Sequence, residues 1–148
     1  MKTEFYVTVN SADSLAYYPS NTGNNFRLHL RKQLNLPGKW SVSLSEFQYI
    51  KTEKLSGRNF WVLSNLCDES IVGDLSIPLL RRIPIKKAKN GVGINHTFST
   101  EHFIPIVHDN VDVIHIYIRG DDNKTLSLID TGITCTLHFK LVSPVWFA

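Results

Sequence analysis

The feature that most constrains this chain is the alternation of apolar and polar residues along several short stretches. Phe5, Val7 and Val9 share one parity, and the apolar residues of 26–30 behave in the same way. Because successive side chains of a β-strand point to opposite faces, a period of two predicts strands with one buried face. No stretch sustains apolar residues at helical spacing with capping residues, so we expect a chain built from sheets.

Polar positions of the second strand carry a pattern of their own. Arg27, His29 and Arg31 occupy the parity opposite to the apolar residues of 26–30. This strand is therefore expected to have an apolar inner face and a basic outer face.

Two departures from simple alternation predict local features. The apolar parity changes between Leu44 and Phe47, which predicts a bulge or bend near Ser45. Residues 60–63 are apolar at every position, so both faces of that strand are expected to be covered.

The number and spacing of these stretches favour a sandwich of two antiparallel sheets. About eight short strands separated by loops is the number found in a jelly roll. A barrel and an immunoglobulin-like sandwich remain open on pattern alone. The chain has 148 residues and no visible linker, so we expect one jelly-roll domain over 1–148.

Composition excludes several classes of protein. Hydrophobic residues make up 43% of the chain and charged residues 20%, which is typical of a globular protein and not of a disordered one. No apolar run approaches the roughly 20 residues of a membrane span, so no membrane insertion is expected. Residues 1–4 lead into a strand pattern instead of a signal core, so we expect synthesis without a secretory signal.

Side chains that could carry chemistry do not form a recognisable motif. The six histidines lack Cys or Glu partners at metal-ligand spacing, which indicates surface or structural roles. Cys67 and Cys135 belong to no Cys/His motif, and Cys135 shares the apolar parity of its strand. We therefore expect no enzyme, no catalytic residue, no cofactor and no metal, and a core position for Cys135.

Several segments, read in order, resemble one family of proteins. These segments are Phe5–Ser11, Tyr18–Pro19 with Asn21–Thr22 and Asn25–Phe26, Gly38–Tyr49, Ile71–Asp74, Pro78–Arg81, Phe103–Val107 and Thr134–Phe139. Together they resemble the small jelly-roll proteins of Polinton (Maverick) elements and adintoviruses, which are regarded as minor capsid or penton proteins. The similarity spans almost the whole chain but departs from the family in the loop 81–93 and the tail 144–148.

This resemblance implies a function in a virus particle. It implies a single jelly roll that forms homopentamers at the vertices of an icosahedral shell, in contact with a larger double jelly-roll major capsid protein. The virion would be its location. A jelly-roll binding module of lectin or receptor-binding type is the alternative, and a cupin-like enzyme is the third.

Two charged or aromatic segments are candidate contact sites within that interpretation. The densest basic run comprises Arg81, Arg82, Lys86, Lys87 and Lys89. It is either a solvated loop or a contact with packaged DNA or an acidic neighbouring subunit. Trp146 and Phe147 are large aromatics that water solvates poorly, so they are expected to dock on protein surface, within one subunit or between subunits.

A third candidate is the tripeptide Arg119, Gly120 and Asp121, which matches the motif by which some capsid pentons engage integrins. Glycine and aspartate are also ordinary turn residues, and the tripeptide follows a strong strand pattern. It is therefore a weak candidate for a receptor motif.

Overall fold

The computed structural model describes residues 2–50, 58–121 and 132–144, and these residues form strands joined by turns and loops. In this part of the chain no helix has the length and apolar character needed to cross a membrane. The strands are β1 (Glu4–Asn10), β2 (Asn25–Asn35), β3 (Lys39–Ile50), β4 (Asn59–Ser64), β5 (Ser70–Val72), β6 (Leu75–Ile77), β7 (Leu79–Pro84), β8 (Gly93–Thr97), β9 (Ile104–Pro105), β10 (Asn110–Arg119) and β11 (Thr134–Ser143).

Two antiparallel sheets form the body of the molecule. The first sheet has the order β1-β11-β3-β8, with the short β9 beside β3, and the second has the order β2-β10-β4-β7. Each sheet interleaves early strands with late ones, so neighbouring strands are distant in sequence. A jelly roll has two facing antiparallel sheets of four strands each, in which strands distant in sequence lie side by side. This strand order therefore confirms the predicted fold class.

The core lies between the two sheets and follows from the alternation in the sequence. β1 pairs with β11 so that Phe5 lies opposite Phe139 and Val9 opposite Cys135. The rings of Phe5 and Phe139 stack with their centroids 4.8 Å apart. On the facing sheet Phe26 is fully buried while its neighbour Arg27 is exposed. The predicted apolar inner face and basic outer face of β2 are thus confirmed.

Strand β3 changes face partway along its length. It pairs Leu44 with Leu137 and Glu46 with Thr136, which leaves Ser45 without an opposite residue. The extra residue restores Phe47 to the core side, where it is fully buried. This confirms the bulge predicted near Ser45.

Strand β4 is covered on both faces, as its continuous apolar run predicts. Phe60 and Val62 belong to the main core. Trp61 and Leu63 point the other way and form a second cluster with Ile77 of the β5–β6 hairpin. This hairpin therefore lies over the outer face of the second sheet.

Both cysteines are free thiols inside the protein, Cys67 almost fully and Cys135 fully buried. Burial raises the pKa of each thiol to about 12, because the apolar surroundings penalise the thiolate. The core position predicted for Cys135 is confirmed.

Candidate assembly surfaces

Arg81 differs from the rest of the basic run because its side chain is partly buried against an aromatic ring of the protein. Its guanidinium lies 3.8 Å from the centroid of the Phe98 ring, and its Nη1 donates a hydrogen bond to the Thr100 carbonyl oxygen at 2.9 Å. Burial lowers the pKa of Arg81, and the nearby Glu101 carboxylate acts in the opposite direction. Arg81 therefore holds the segment after β8 against the edge of the second sheet.

The remaining residues of the run are exposed to solvent: Arg82, Lys86, Lys87 and Lys89. Lys86 donates from Nζ to the Asn95 carbonyl oxygen at 3.2 Å, which holds the start of the loop near β8. Arg82 lies opposite Trp61 in the β4–β7 pairing, on the outer face of the second sheet. The loop thus offers a basic surface where the chain crosses from the second sheet to the first.

The tripeptide of residues 119–121 lies at the end of β10. Asp121 accepts a hydrogen bond from the Arg58 backbone N–H at 2.9 Å and one from the Asn59 side chain at 3.3 Å. These hydrogen bonds lower the pKa of its carboxyl group. Gly120 is buried, and the Arg119 guanidinium lies 5.6 Å from the Tyr117 ring centroid. The Asp121 carboxylate thus binds its own chain, and the receptor motif stays a prediction.

The free edge of β2 is covered by side chains of the β1–β2 connection. The Asn21 amide donates to the Arg27 carbonyl oxygen at 2.8 Å, and its oxygen accepts from the Arg27 N–H at 2.9 Å. The Ser14 hydroxyl oxygen accepts from the His29 N–H at 3.0 Å. Because these backbone groups are occupied, this part of the edge is closed to pairing with a further strand.

The outer face of the second sheet also carries His115, next to Arg27 in the β2–β10 pairing. Its Nε2 lies 2.7 Å from the Asn25 side-chain oxygen. Burial, and to a lesser extent the positive charge of Arg27, lowers the pKa of His115. His115 thus lies on β10 beside the basic face predicted for β2, and its ring has an amide partner on that strand.

The outer face of the first sheet contains a buried histidine between two carboxylates. His138 Nδ1 lies 2.8 Å from Glu101, and Nε2 lies 3.1 Å from Glu4. The Tyr6 ring stacks on His138 at 4.3 Å, and Phe103 meets it edge-on at 5.2 Å. The cluster joins β1, β11 and the segment before β9, so His138 has a structural position.

The β5–β6 hairpin presents an apolar side chain to solvent. Ile71 is 82% exposed, the highest value among the large apolar residues that the structure describes. It lies opposite Ser76, whose hydroxyl donates to Glu69 at 2.9 Å, and Asp74 occupies the hairpin turn. We call the outward face formed by Glu69, Ile71 and Asp74 the hairpin knob.

A groove of about 620 Å³ opens between the edge strands of the two sheets. It is lined by Lys2, Phe5, Tyr6, Lys32, Gln33, Leu34, Asn35, Leu36, Pro37 and Trp40. We call it the β1–β2 groove. Its apolar side includes the partly exposed Phe5, whose ring lies 5.6 Å from that of the buried core residue Trp40. The groove is therefore a place where the core reaches the surface.

Trp146 and Phe147 lie outside the described residues. Within residues 2–50, 58–121 and 132–144, no group of three or more His, Cys, Asp or Glu side chains could hold a metal ion.

Sequence reasoning did not identify the hairpin knob or the β1–β2 groove. Ile71 is one apolar residue in a short segment without periodicity, so nothing marked it as exposed. The groove is lined by residues near position 2 and residues near position 40, and no local pattern in the sequence indicates that these residues lie side by side. The run of three acids and no base over residues 65–78 is the signal that could have drawn attention to the hairpin.

No protein-family model matches this chain, and no curated protein matches it. Solved structures of infectious bursal disease virus proteins are similar to it, with low TM-scores. The Gx strain structure has 11% identity and a TM-score of 0.33, covering 95% of this chain and 32% of that one. A mutant VP2 protein in T=1 particles from that virus has 12% identity and a TM-score of 0.31, covering 93% and 32%.

The VP2 subviral particle of the same virus has 9% identity and a TM-score of 0.31, with 93% of this chain and 32% of that chain covered. This chain thus spans about a third of the length of the proteins it matches. Likeness at this level carries no argument about function. The fold assignment rests on the strand order of the two sheets.

Proposed function

We propose that this protein is a structural subunit of a viral or virus-like capsid, a minor capsid or penton-type protein without enzymatic activity. The observation that carries the proposal is the jelly-roll strand order, β1-β11-β3-β8 facing β2-β10-β4-β7. It is the fold that the resemblance to Polinton and adintovirus minor capsid proteins implies. The site of action would be the virion.

Self-association would be the mechanism. Copies related by a rotation axis bury two different surfaces against each other, and the ring closes when the rotation does. A homopentamer at the vertices, in contact with the major capsid protein, is the assembly that the resemblance implies. Exposed apolar residues such as Ile71 and the open β1–β2 groove support contacts of this kind, because both leave apolar surface in water.

The basic loop would provide a second type of contact. Arg82, Lys86, Lys87 and Lys89 are exposed and lie close together in sequence, so they could neutralise phosphates of packaged DNA or carboxylates of a neighbouring subunit. Arg81 would contribute to the position of the loop, since its guanidinium contacts Phe98 and Thr100.

The test is a mass measurement of the purified protein by sedimentation velocity and native mass spectrometry over a range of concentrations. We expect a closed oligomer, with five copies as the expected number, and co-sedimentation with the major capsid protein. A monomer at every concentration, alone and with that partner, would contradict the proposal.

The tail is tested in the same experiment by deleting residues 145–148. If Trp146 and Phe147 dock between subunits, the thermal midpoint of the unmodified protein depends on concentration, and the deletion shifts the oligomer toward monomer and weakens that dependence. If they dock within one subunit, it lowers the midpoint at all concentrations equally. An unchanged midpoint and assembly state would rule out both forms of docking.

A further inference from the structure

We propose that copies of this chain join head to tail, with the Ile71 side chain of one copy seated in the β1–β2 groove of the next. This inference rests on the proposed self-association and deepens it, because it names the two surfaces. The occupant of the groove is a second copy of the same chain.

The hairpin knob is built to present Ile71 rigidly. The opposite face of the hairpin is fixed to the protein, with Val72 and Ile77 packed against Trp61 and Leu63. The turn that closes the hairpin places Gly73 at φ +63°, a left-handed conformation that glycine adopts without strain. Because the hairpin is held by its inner face, its outer face keeps an isoleucine in water, which is unfavourable unless a partner covers it.

The β1–β2 groove has the complementary chemistry. Its lining includes the partly exposed Phe5, Leu34 and Pro37 above the buried Leu36 and Trp40, and Phe5 is held by ring contacts with both Trp40 and Phe139. Pockets that bind apolar groups are largely pre-formed and lined in this way. The groove therefore offers apolar contact area to a branched aliphatic side chain.

Charges around the two surfaces are opposite. The hairpin segment 65–78 contains Asp68, Glu69 and Asp74 and no Lys or Arg. The groove is lined by Lys2 and Lys32, and no acidic residue is among its lining residues. Complementary charges around an apolar contact fix its register, speed association and disfavour wrong partners.

The two surfaces are different, so each copy carries one knob and one groove. A contact of this type is heterologous: it produces a ring if the rotation closes and an open chain if it does not. Pairing of strands across the β2 edge is not required, which agrees with the hydrogen bonds from Asn21 and Ser14 that occupy that edge.

The first test compares self-association of the full chain and two variants by sedimentation velocity over a concentration series. Ile71→Asp should weaken association by about tenfold or more, since it removes one buried aliphatic side chain and adds a charge. Val107→Asp is the matched control, because Val107 is also apolar and 53% exposed but lies on neither surface. Circular dichroism verifies that both variants remain folded.

The second test mixes two variants that are each defective in one surface. Ile71→Asp keeps its groove, and the double variant Lys2→Glu with Lys32→Glu keeps its knob. Alone, each should be monomeric under conditions where the unmodified protein assembles. Mixed, they should form a one-to-one dimer and nothing larger, because only one intact knob and one intact groove remain. Failure of the mixture to dimerise, with both variants folded, would overturn the inference.

The outcomes separate the inference from the proposed function. An unmodified protein that is always monomeric contradicts the proposed function. An unmodified protein that assembles, together with an Ile71→Asp variant that assembles equally well, contradicts the inference alone. If Trp146→Ser blocks assembly and Ile71→Asp does not, residues 145–148 make the contact between copies and the inference is wrong.

Discussion

At the scale of single residues, Arg81 shows how one cation of a basic run can have a different role from its neighbours. It combines a cation–π contact with Phe98 and a hydrogen bond to Thr100. We expect Arg81→Met to lower the free energy of unfolding by about 1–2 kcal/mol. Arg82→Met is the matched control and should change stability by less than about 0.5 kcal/mol, because Arg82 is exposed. Equal effects of the two substitutions in urea denaturation would refute the structural role of Arg81.

The two buried thiols should make the stability of the protein depend on pH in the alkaline range. In the folded protein the pKa of each is raised to about 12, whereas an unfolded thiol ionises near pH 8.5–9. Above pH 9 the unfolded chain therefore binds fewer protons than the folded chain, and stability falls as the pH rises. The expected loss is about 1 kcal/mol per thiol between pH 9 and pH 10.

Urea denaturation at pH 8, 9 and 10 measures this loss. The double variant Cys67→Ala with Cys135→Ala is the control, because it keeps the lysines and tyrosines that also ionise in this range. Its stability should fall less steeply than that of the unmodified protein. Identical slopes would show that the thiols are not the cause.

At the scale of elements, the β5–β6 hairpin depends on the conformation of one glycine. Gly73 has φ +63° and no neighbouring atom that a Cβ would meet. Gly73→Ala should therefore lower stability by about 1 kcal/mol through backbone strain alone. Gly93 also has open space around its Cβ position but no positive φ, so Gly93→Ala should be close to neutral. Thermal denaturation measures the midpoints of the two variants, and we expect a lower midpoint for Gly73→Ala than for Gly93→Ala. Equal midpoints would contradict this explanation.

Strand β3 illustrates which elements could be predicted from the sequence. Its apolar parity, its change of face and the bulge at Ser45 are local properties, so they can be read from residues 40–49 without knowledge of the partners. The covered outer face of β4 could be predicted too, because residues 60–63 are apolar at every position. The element that covers it could not, since β5 and β6 have three residues each and no periodicity.

The candidate surfaces were less predictable than the strands for a physical reason. A run such as residues 81–89 is visible as charge, but charge alone does not separate Arg81, which contacts Phe98, from the exposed Lys87. The β1–β2 groove exists only because β11 lies between β1 and β3 and brings Phe5 near Trp40. Such proximity between distant segments is a property of the sheet order and has no local signal.

At the scale of the whole molecule, the first sheet depends on a strand from the far end of the chain. β11 pairs with β1 on one side and with β3 on the other. A chain that stops at residue 121 leaves both of these strands without their partner and exposes the residues that face Phe139. We expect this truncated chain to show no cooperative thermal transition by circular dichroism. A chain that stops at Pro144 keeps every described strand and should show one. A cooperative transition in the shorter chain would contradict this prediction.

The position of β11 has a consequence for synthesis on the ribosome. The first sheet cannot close until residue 143 has left the exit tunnel, so β1 and β3 stay without their shared partner strand while the intervening residues are translated. Nascent chains interrupted earlier would expose apolar strands and be accessible to chaperones and proteases. The same dependence links assembly to complete translation of β11. The β1–β2 groove is one half of the proposed contact between copies, and it forms only in chains that include this strand.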